Sequence, residues 1–180
     1  KLNNAVDLSY LGISDLDESI LNIEGMSSSK VRHFLNNIIK SFNDIRYLEV
    51  GLLKGSTFIS SLYKNKIKLA LGVDNFSEFD GTKEELLSNI KKYLSDDNIQ
   101  FIESDYKKID YAQFPKFNVY FYDGNHSKEE QYYAITTLNN HLENKFICIV
   151  DDWNWPDVQE GTFKAFNELK YKIIYEQFLP

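Results

Sequence analysis

From residue 45 onward the chain alternates short apolar runs with longer stretches of helical period, and few architectures accommodate that order. The apolar runs are IRYLEV (45–50), KLALGVD (68–74), IQFIES (99–104), FNVYFYD (117–123), FICIVD (146–151) and YKIIYEQF (171–178). Most are separated by GSTFISSLYKN (55–65), TKEELLSNIKKYL (82–94), SKEEQYYAITTLNNHL (127–142) and VQEGTFKAFNELK (158–170), which read as helices. The runs mostly do not alternate in polarity, so each is expected to be buried on both faces. This predicts a doubly wound α/β fold: a mostly parallel sheet of six strands, joined by right-handed crossovers, with helices on both faces. Thr82 with Glu85, and Ser127 with Glu130, have the spacing of helix-opening capping boxes.

Upstream, Val31, Phe34, Leu35, Ile38, Ile39 and Phe42 recur at helical spacing behind the candidate caps Ser27 to Ser29. Residues 1–26 show no long period and read as an N-terminal segment, a lid with Met26 covering the site. Residues 27–180 read as one domain, which 180 residues suffice to give a sizeable core. No run approaches the roughly 18 apolar residues of a membrane span. The N-terminus lacks the apolar stretch of a secretion signal. Basic residues do not cluster on this chain of formal charge -7, since Lys64, Lys66 and Lys68 merely flank a strand; a nucleic-acid surface is not expected. The single cysteine, Cys148, cannot form an internal disulfide, which fits a reducing, cytoplasmic setting.

In a doubly wound sheet ligands bind beyond the carboxyl ends of the strands. The first strand there gives Glu49, Gly51, Gly55 and Ser56 in the stretch EVGLLKGS. Glycine permits a tight turn and close approach of a ligand, and the following helix aims free N–H groups at it. A plain tight turn is the alternative. The second strand ends in Asp74, 23 residues after Gly51, where an acid can accept from ribose hydroxyls. A dinucleotide fingerprint counted from Gly51 needs glycines at 53 and 56, but Leu53 and Ser56 stand there. No Gly-Lys-Ser/Thr triplet follows either, so a pyrophosphate ligand is disfavoured.

At these residues the sequence resembles the class I S-adenosylmethionine-dependent methyltransferases, and within them the O-methyltransferases related to the macrocin and catechol enzymes. The resemblance spans residues 27–178 and rests on LEVGLLKGST, GVDNF, IESDY, VYFYDGNHSKEE and CIVDDW, in order at successive strand ends. It implies a Rossmann-like sheet, usually of seven strands, of which the last is missing here. Either further sequence or another chain would complete that open edge, and a homodimer is one expectation. It also implies that Gly51, Gly55 and Ser56 line the methionine part of the cofactor with Glu49 beneath the turn. By the same resemblance Asp74 binds the ribose, Ser104 and Asp105 flank the adenine, and Asp123 lies near the sulfonium and the acceptor.

Asp123 ends the fourth strand and Asp151-Asp152 end the fifth. Three converging carboxylates repel unless something positive sits among them, and oxygen-only ligands select a hard cation, Mg²⁺ by default with Ca²⁺ or Mn²⁺ as alternatives. The catechol-type enzymes hold magnesium from matching positions with an acid–amide pair where this chain has two acids. A structural role for Asp123 and Asp151 without metal is the competing expectation. His126, three residues after Asp123, is a candidate general base for an acceptor hydroxyl. Trp153 and Trp155 are candidates for an apolar wall against an aromatic ring or sugar face. The expected activity is therefore methylation of a small hydroxylated molecule. Two alternatives stand beside it: a nucleotide-dependent oxidoreductase on the same fold, and a non-catalytic binding module.

Overall fold

Five strands, β1 (Arg46–Val50), β2 (Leu69–Asp74), β3 (Ile99–Glu103), β4 (Phe117–Tyr122) and β5 (Leu142–Val150), form one parallel sheet in the order β3-β2-β1-β4-β5. The structure is a computed structural model in which residues 1–78 and 82–179 are described; Pro180, the last residue of the expected domain, lies outside them. Central strand β1 is buried from Tyr47 to Val50 and is apolar on both faces except at Glu49. Successive side chains point to opposite sides of the sheet. Leu48, Val50, Leu71, Val73, Tyr120 and Tyr122 face α6 (Lys128–Leu138) and α7 (Pro156–Glu168), packing with Ala134, Ile135, Leu138 and Ala165. Tyr47, Ala70, Val119 and Phe121 face α3 (Ser29–Ser41), α4 (Ser56–Leu62) and α5 (Lys83–Tyr93), packing with Leu35, Ile39, Phe58, Leu62 and Leu86. The expected doubly wound parallel sheet is thus present.

The N-terminal segment holds two helices, α1 (Leu2–Tyr10) and α2 (Glu18–Leu21). Ile20 and Ile23 bury against Ile59 of α4. The buried Arg32 guanidinium donates to the Leu21 and Ile23 carbonyls at 3.0 and 2.7 Å and to Ser27 Oγ at 3.0 Å. These bonds stand in for water around a charge that could not otherwise be buried. Met26 is 77% exposed.

Two local expectations are corrected. Residues 171–178 do not form a sixth strand. Their β-branched and aromatic composition favours a strand, but a strand exists only by pairing, and no described strand lies alongside. Tyr171 is held by its N–H to Phe166 O (2.9 Å) and its Oη to Asn139 Oδ1 (2.6 Å), whereas Ile173, Ile174, Tyr175 and Phe178 are exposed. Nor does the Thr82 side chain cap α5: its backbone is already in the right-handed helical region (φ -89°, ψ -14°) rather than extended. Ser127 does cap α6, accepting from the Glu130 N–H at 3.3 Å. The Glu130 carboxylate, however, turns away to Tyr106 and Lys107.

Helices α6 and α7 meet at Gly161, where an added Cβ would lie 2.3 Å from the Lys128 carbonyl oxygen and 2.7 Å from Gln131 Cβ. A gain in helix propensity of about 1 kcal/mol favours Gly161→Ala. The clash is with backbone and forces the helices apart, an overpacking cost of about 1–3 kcal/mol. Gly161→Ala should therefore lower stability on balance, read as a reduced midpoint in urea unfolding followed by circular dichroism.

Candidate functional site

The strand order reverses between β1 and β4, the position at which a doubly wound sheet receives its ligands beyond the carboxyl ends of the strands. Gly51 follows β1 with φ +89°, and a Cβ there would lie 1.9 Å from the Asp123 carbonyl oxygen. Only glycine allows the β1 turn to press against the end of β4. Asp123 N–H donates to Val50 O at 2.8 Å and Gly51 N–H to Val73 O at 2.9 Å, which ties the ends of β1, β2 and β4 together. Gly55, at φ +85°, opens α4, whose first residue is Ser56.

Asp74 reaches into this turn. Its Oδ2 accepts from the Leu52 and Leu53 N–H groups at 2.7 and 3.0 Å, and its Oδ1 from the Phe76 N–H at 2.7 Å. Two N–H groups fill the acceptor positions of Oδ2, so Oδ1 is the oxygen that retains acceptor capacity. On the next strand end, Ser104 N–H donates to Asp74 O at 3.0 Å, and Asp105 caps a short 3₁₀ turn through the Lys107 N–H at 3.0 Å. The N-terminal segment also meets the turn. Lys54 pairs with Glu24 at 2.8 Å and with Glu85 at 3.0 Å. A Cβ on Gly25 would lie 2.0 Å from Ser56 Oγ.

Beneath the turn Glu49 is fully buried. It accepts hydrogen bonds from Thr57 Oγ1 at 2.5 Å and from the Tyr47 hydroxyl, which also lies 3.1 Å from Ser61 Oγ. Residues 47 and 49 share a face of β1, which is why the phenol and the acid meet. Burial pushes the Glu49 carboxyl up to about 8, opposed by the two hydrogen bonds and reinforced by Asp151 and Asp74. The sequence marks Glu49, but its partners Tyr47, Thr57 and Ser61 read there as ordinary strand and helix residues. The i, i+2 spacing of Tyr47 and Glu49 is the signal that could have found the pair.

At the ends of β4 and β5, ligand atoms of Asp123, His126 and Asp151 lie within 4.8 Å of one another. Burial, then the neighbouring Asp151 carboxylate, holds Asp123 well above the usual carboxylate range. Asp152 is not one of the three. It takes φ +48°, and its Oδ2 lies 3.9 Å from His126 Nε2. That nitrogen is buried without a hydrogen-bond partner among the described residues. The two tryptophans diverge: Trp153 packs edge-on against Phe163 (ring centroids 5.2 Å apart), while Trp155 is 49% exposed and leans on the His126 ring at 5.5 Å. A cleft of about 300 Å³ lies beside them, lined by Trp153, Asn154, Gln159 and Phe178. Cys148 stands apart on β5, its thiol pushed up to about 12 by burial and therefore unreactive.

The sequence matches no family model and no curated protein. The structure, in contrast, is similar to solved methyltransferases. The O-methyltransferase TomG from Streptomyces achromogenes, involved in tomaymycin synthesis and solved with S-adenosylmethionine, is 15% identical over 95% of this chain and 85% of its own, with a TM-score of 0.64. The methyltransferase PaMTH1 from Podospora anserina, solved with S-adenosylhomocysteine, is 16% identical over 94% of this chain and 76% of its own, with a TM-score of 0.56. A precorrin-6y C5,15-methyltransferase from Geobacter metallireducens is 14% identical over 89% and 81%, with a TM-score of 0.65. The fold is accordingly the Rossmann-like fold of class I methyltransferases, with five strands among the described residues.

The buried acid makes stability depend on pH. Its folded value of about 8 stands above the usual 4.5 of a glutamate, so between these limits the folded protein keeps a proton that the unfolded chain releases. Stability from this group is present at acid pH and is lost as pH rises through that window, by up to roughly 1.4 kcal/mol per unit. Glu49→Gln stays neutral throughout. Its melting temperature should fall less than the parent's between about pH 5 and pH 8; equal slopes would place the titration elsewhere.

Proposed function

We propose that this chain is an S-adenosylmethionine-dependent methyltransferase that methylates an oxygen of a small hydroxylated acceptor, a sugar or a secondary metabolite. The observation that carries the reading is the contact of Gly51 with the Asp123 backbone. It gathers the turn amides, Asp74 and the acidic strand ends into one crevice that lacks a pyrophosphate-binding fingerprint. The cofactor-bound neighbours of the same fold support it. The missing glycines at 53 and 56 weigh against the oxidoreductase alternative.

When bound, S-adenosylmethionine supplies a methyl group on a sulfonium, which is a good leaving group. The protein's contribution is then mainly placement. Gly51, Gly55 and the first turn of α4 receive the amino-acid end, with Glu49 as the buried support of the turn. Asp74 accepts from the ribose hydroxyls, and Ser104 and Asp105 flank the adenine. Asp123 lies beside the reacting centre. Trp153, the cleft it lines and the neighbouring Trp155 receive the acceptor, whose hydroxyl proton passes to the group formed by Asp123, His126 and Asp151. Tyr122 and Asn125 shape that loop through a bond from the Tyr122 hydroxyl to the Asn125 carbonyl at 3.3 Å. Among the described residues no helix is long and apolar enough to cross a membrane, and the single cysteine, partly buried and without a disulfide partner, fits the cytoplasmic setting read from the sequence. The outer edge of β5, unpaired among the described residues, is the surface a second copy would use.

Calorimetric titration with S-adenosylhomocysteine tests the reading. The protein should take it up, and Asp74→Asn should weaken binding about 10- to 100-fold, the worth of one or two charge-assisted hydrogen bonds. NAD should leave the melting temperature unchanged. No uptake at millimolar concentration, or stabilisation by NAD instead, would overturn it.

A further inference from the structure

We infer that the hydrogen bond between Asn125 and Glu78 is a latch over the nucleoside end of the site, which parts to admit the cofactor and re-forms above it. This latch rests on the methyltransferase reading, for it guards the same site.

In the sheet, β1 lies between β2 and β4. Glu78 follows the carboxyl end of β2, and Asn125 follows that of β4. Asn125 Nδ2 donates to Glu78 Oε1 at 3.0 Å. The bond therefore joins loops from either side of β1 and spans the carboxyl end of the strand between them. At that end stand Gly51 and the turn whose amides Asp74 holds. A guest seated on the turn lies beneath the bond, so the bond must open for it to enter or leave.

Both halves of the latch are built. Asn125 Oδ1 accepts from the Ser127 N–H at 2.9 Å, which leaves the amide nitrogen to face Glu78. The Asn125 carbonyl accepts from the Tyr122 hydroxyl at 3.3 Å, and the Tyr122 ring stands edge-on to Tyr106 with centroids 5.7 Å apart. Asn125 is thus fixed through side chain and backbone alike. On the other side, Phe76 N–H donates to Asp74 Oδ1 at 2.7 Å, and Ser77 donates from its N–H and Oγ to Asn75 Oδ1 at 3.1 and 2.8 Å. Phe76 takes φ +51°, an uncommon conformation for a bulky residue, and its ring packs against Phe101 at 5.9 Å. The loop that presents Glu78 is folded on the carboxylate proposed to accept from the ribose. One loop therefore couples the ribose contact to the latch.

The Asn125–Glu78 bond is exposed, so water competes for both partners and the latch opens readily. That suits a site that exchanges its cofactor for product at each turnover and covers the sulfonium in between. A guest enters and leaves only through the open fraction, so both apparent rates scale with that fraction.

The test is stopped-flow binding of S-adenosylhomocysteine to the full chain. This probe has no net charge at neutral pH, so a single surface carboxylate steers it little. Asn125→Asp sets two carboxylates face to face, and Glu78→Ala removes the acceptor. The two variants change the net charge in opposite directions. Each should nevertheless raise the association and dissociation rates together, by about 3- to 10-fold, with Kd changed by less than about 2-fold. Adding Glu78→Gln to Asn125→Asp exchanges donor and acceptor across the same gap at the parent's net charge, and should return both rates to the parent's. Faster dissociation alone, not restored by the exchange, would make the two residues ligand contacts and overturn the latch. Unchanged rates would overturn it too and leave the methyltransferase reading standing. No uptake by the parent or any variant would remove that reading, and the latch with it.

Discussion

The contact between the backbone of Gly51 and that of Asp123 is the constraint on which the rest of the site depends. Parallel strands diverge in their connections at a switch point, and whatever binds there must be met by residues from both sides. With a Cβ at position 51 only 1.9 Å from the Asp123 carbonyl oxygen, any other residue would pry β1 and β4 apart at this end. The positive φ of Gly51 then turns the chain so that the amides of Leu52 and Leu53 face Asp74. One missing side chain thus sets the position of the Asp74-bound turn relative to the acidic ends of β4 and β5.

Beneath that contact the protein carries a cost. Glu49 is buried between Gly72 on β2 and Phe121 on β4, the residues opposite it in register. An ionised carboxylate there would be far from water, so the acid is held largely protonated and is fixed by Tyr47 and Thr57. The arrangement fastens the first turn of α4, through Thr57, to the strand it follows. A hydrocarbon in the same place would fill the space but take the acceptor from the Thr57 hydroxyl and leave the Tyr47 hydroxyl with Ser61 Oγ alone.

Most of the sheet was legible because burial on two faces leaves little freedom: β1, β2 and β4 had to be runs of apolar residues, and they read as such. The glycine turn was legible for the same reason, since few residues tolerate its geometry. What failed depends on partners that local pattern does not encode. YKIIYEQF has the composition of a strand, but the neighbour it would pair with is absent among the described residues. Thr82 has the right spacing for a cap and the wrong backbone angles. The helices of residues 1–26 are short and weakly periodic, and they are positioned by tertiary contacts through Ile20, Ile23 and Arg32. The acidic cluster was legible from the strand ends, which place Asp123 and Asp151 together; the approach of His126 to them depends on the path of the loop after β4, which local pattern does not encode.

The docking of Gly25 on Ser56, with Lys54 bridging Glu24 and Glu85, has a mechanical consequence. The loop before α3 leans directly on the first residue of α4, and the salt bridges bind that loop to the glycine turn and to α5. Any displacement of the turn to admit a bulky guest is transmitted to the leading segment as a push, and loosening the leading segment slackens the turn. The two are in direct contact at Gly25 and Ser56, so a larger side chain at position 25 would disturb the start of α4.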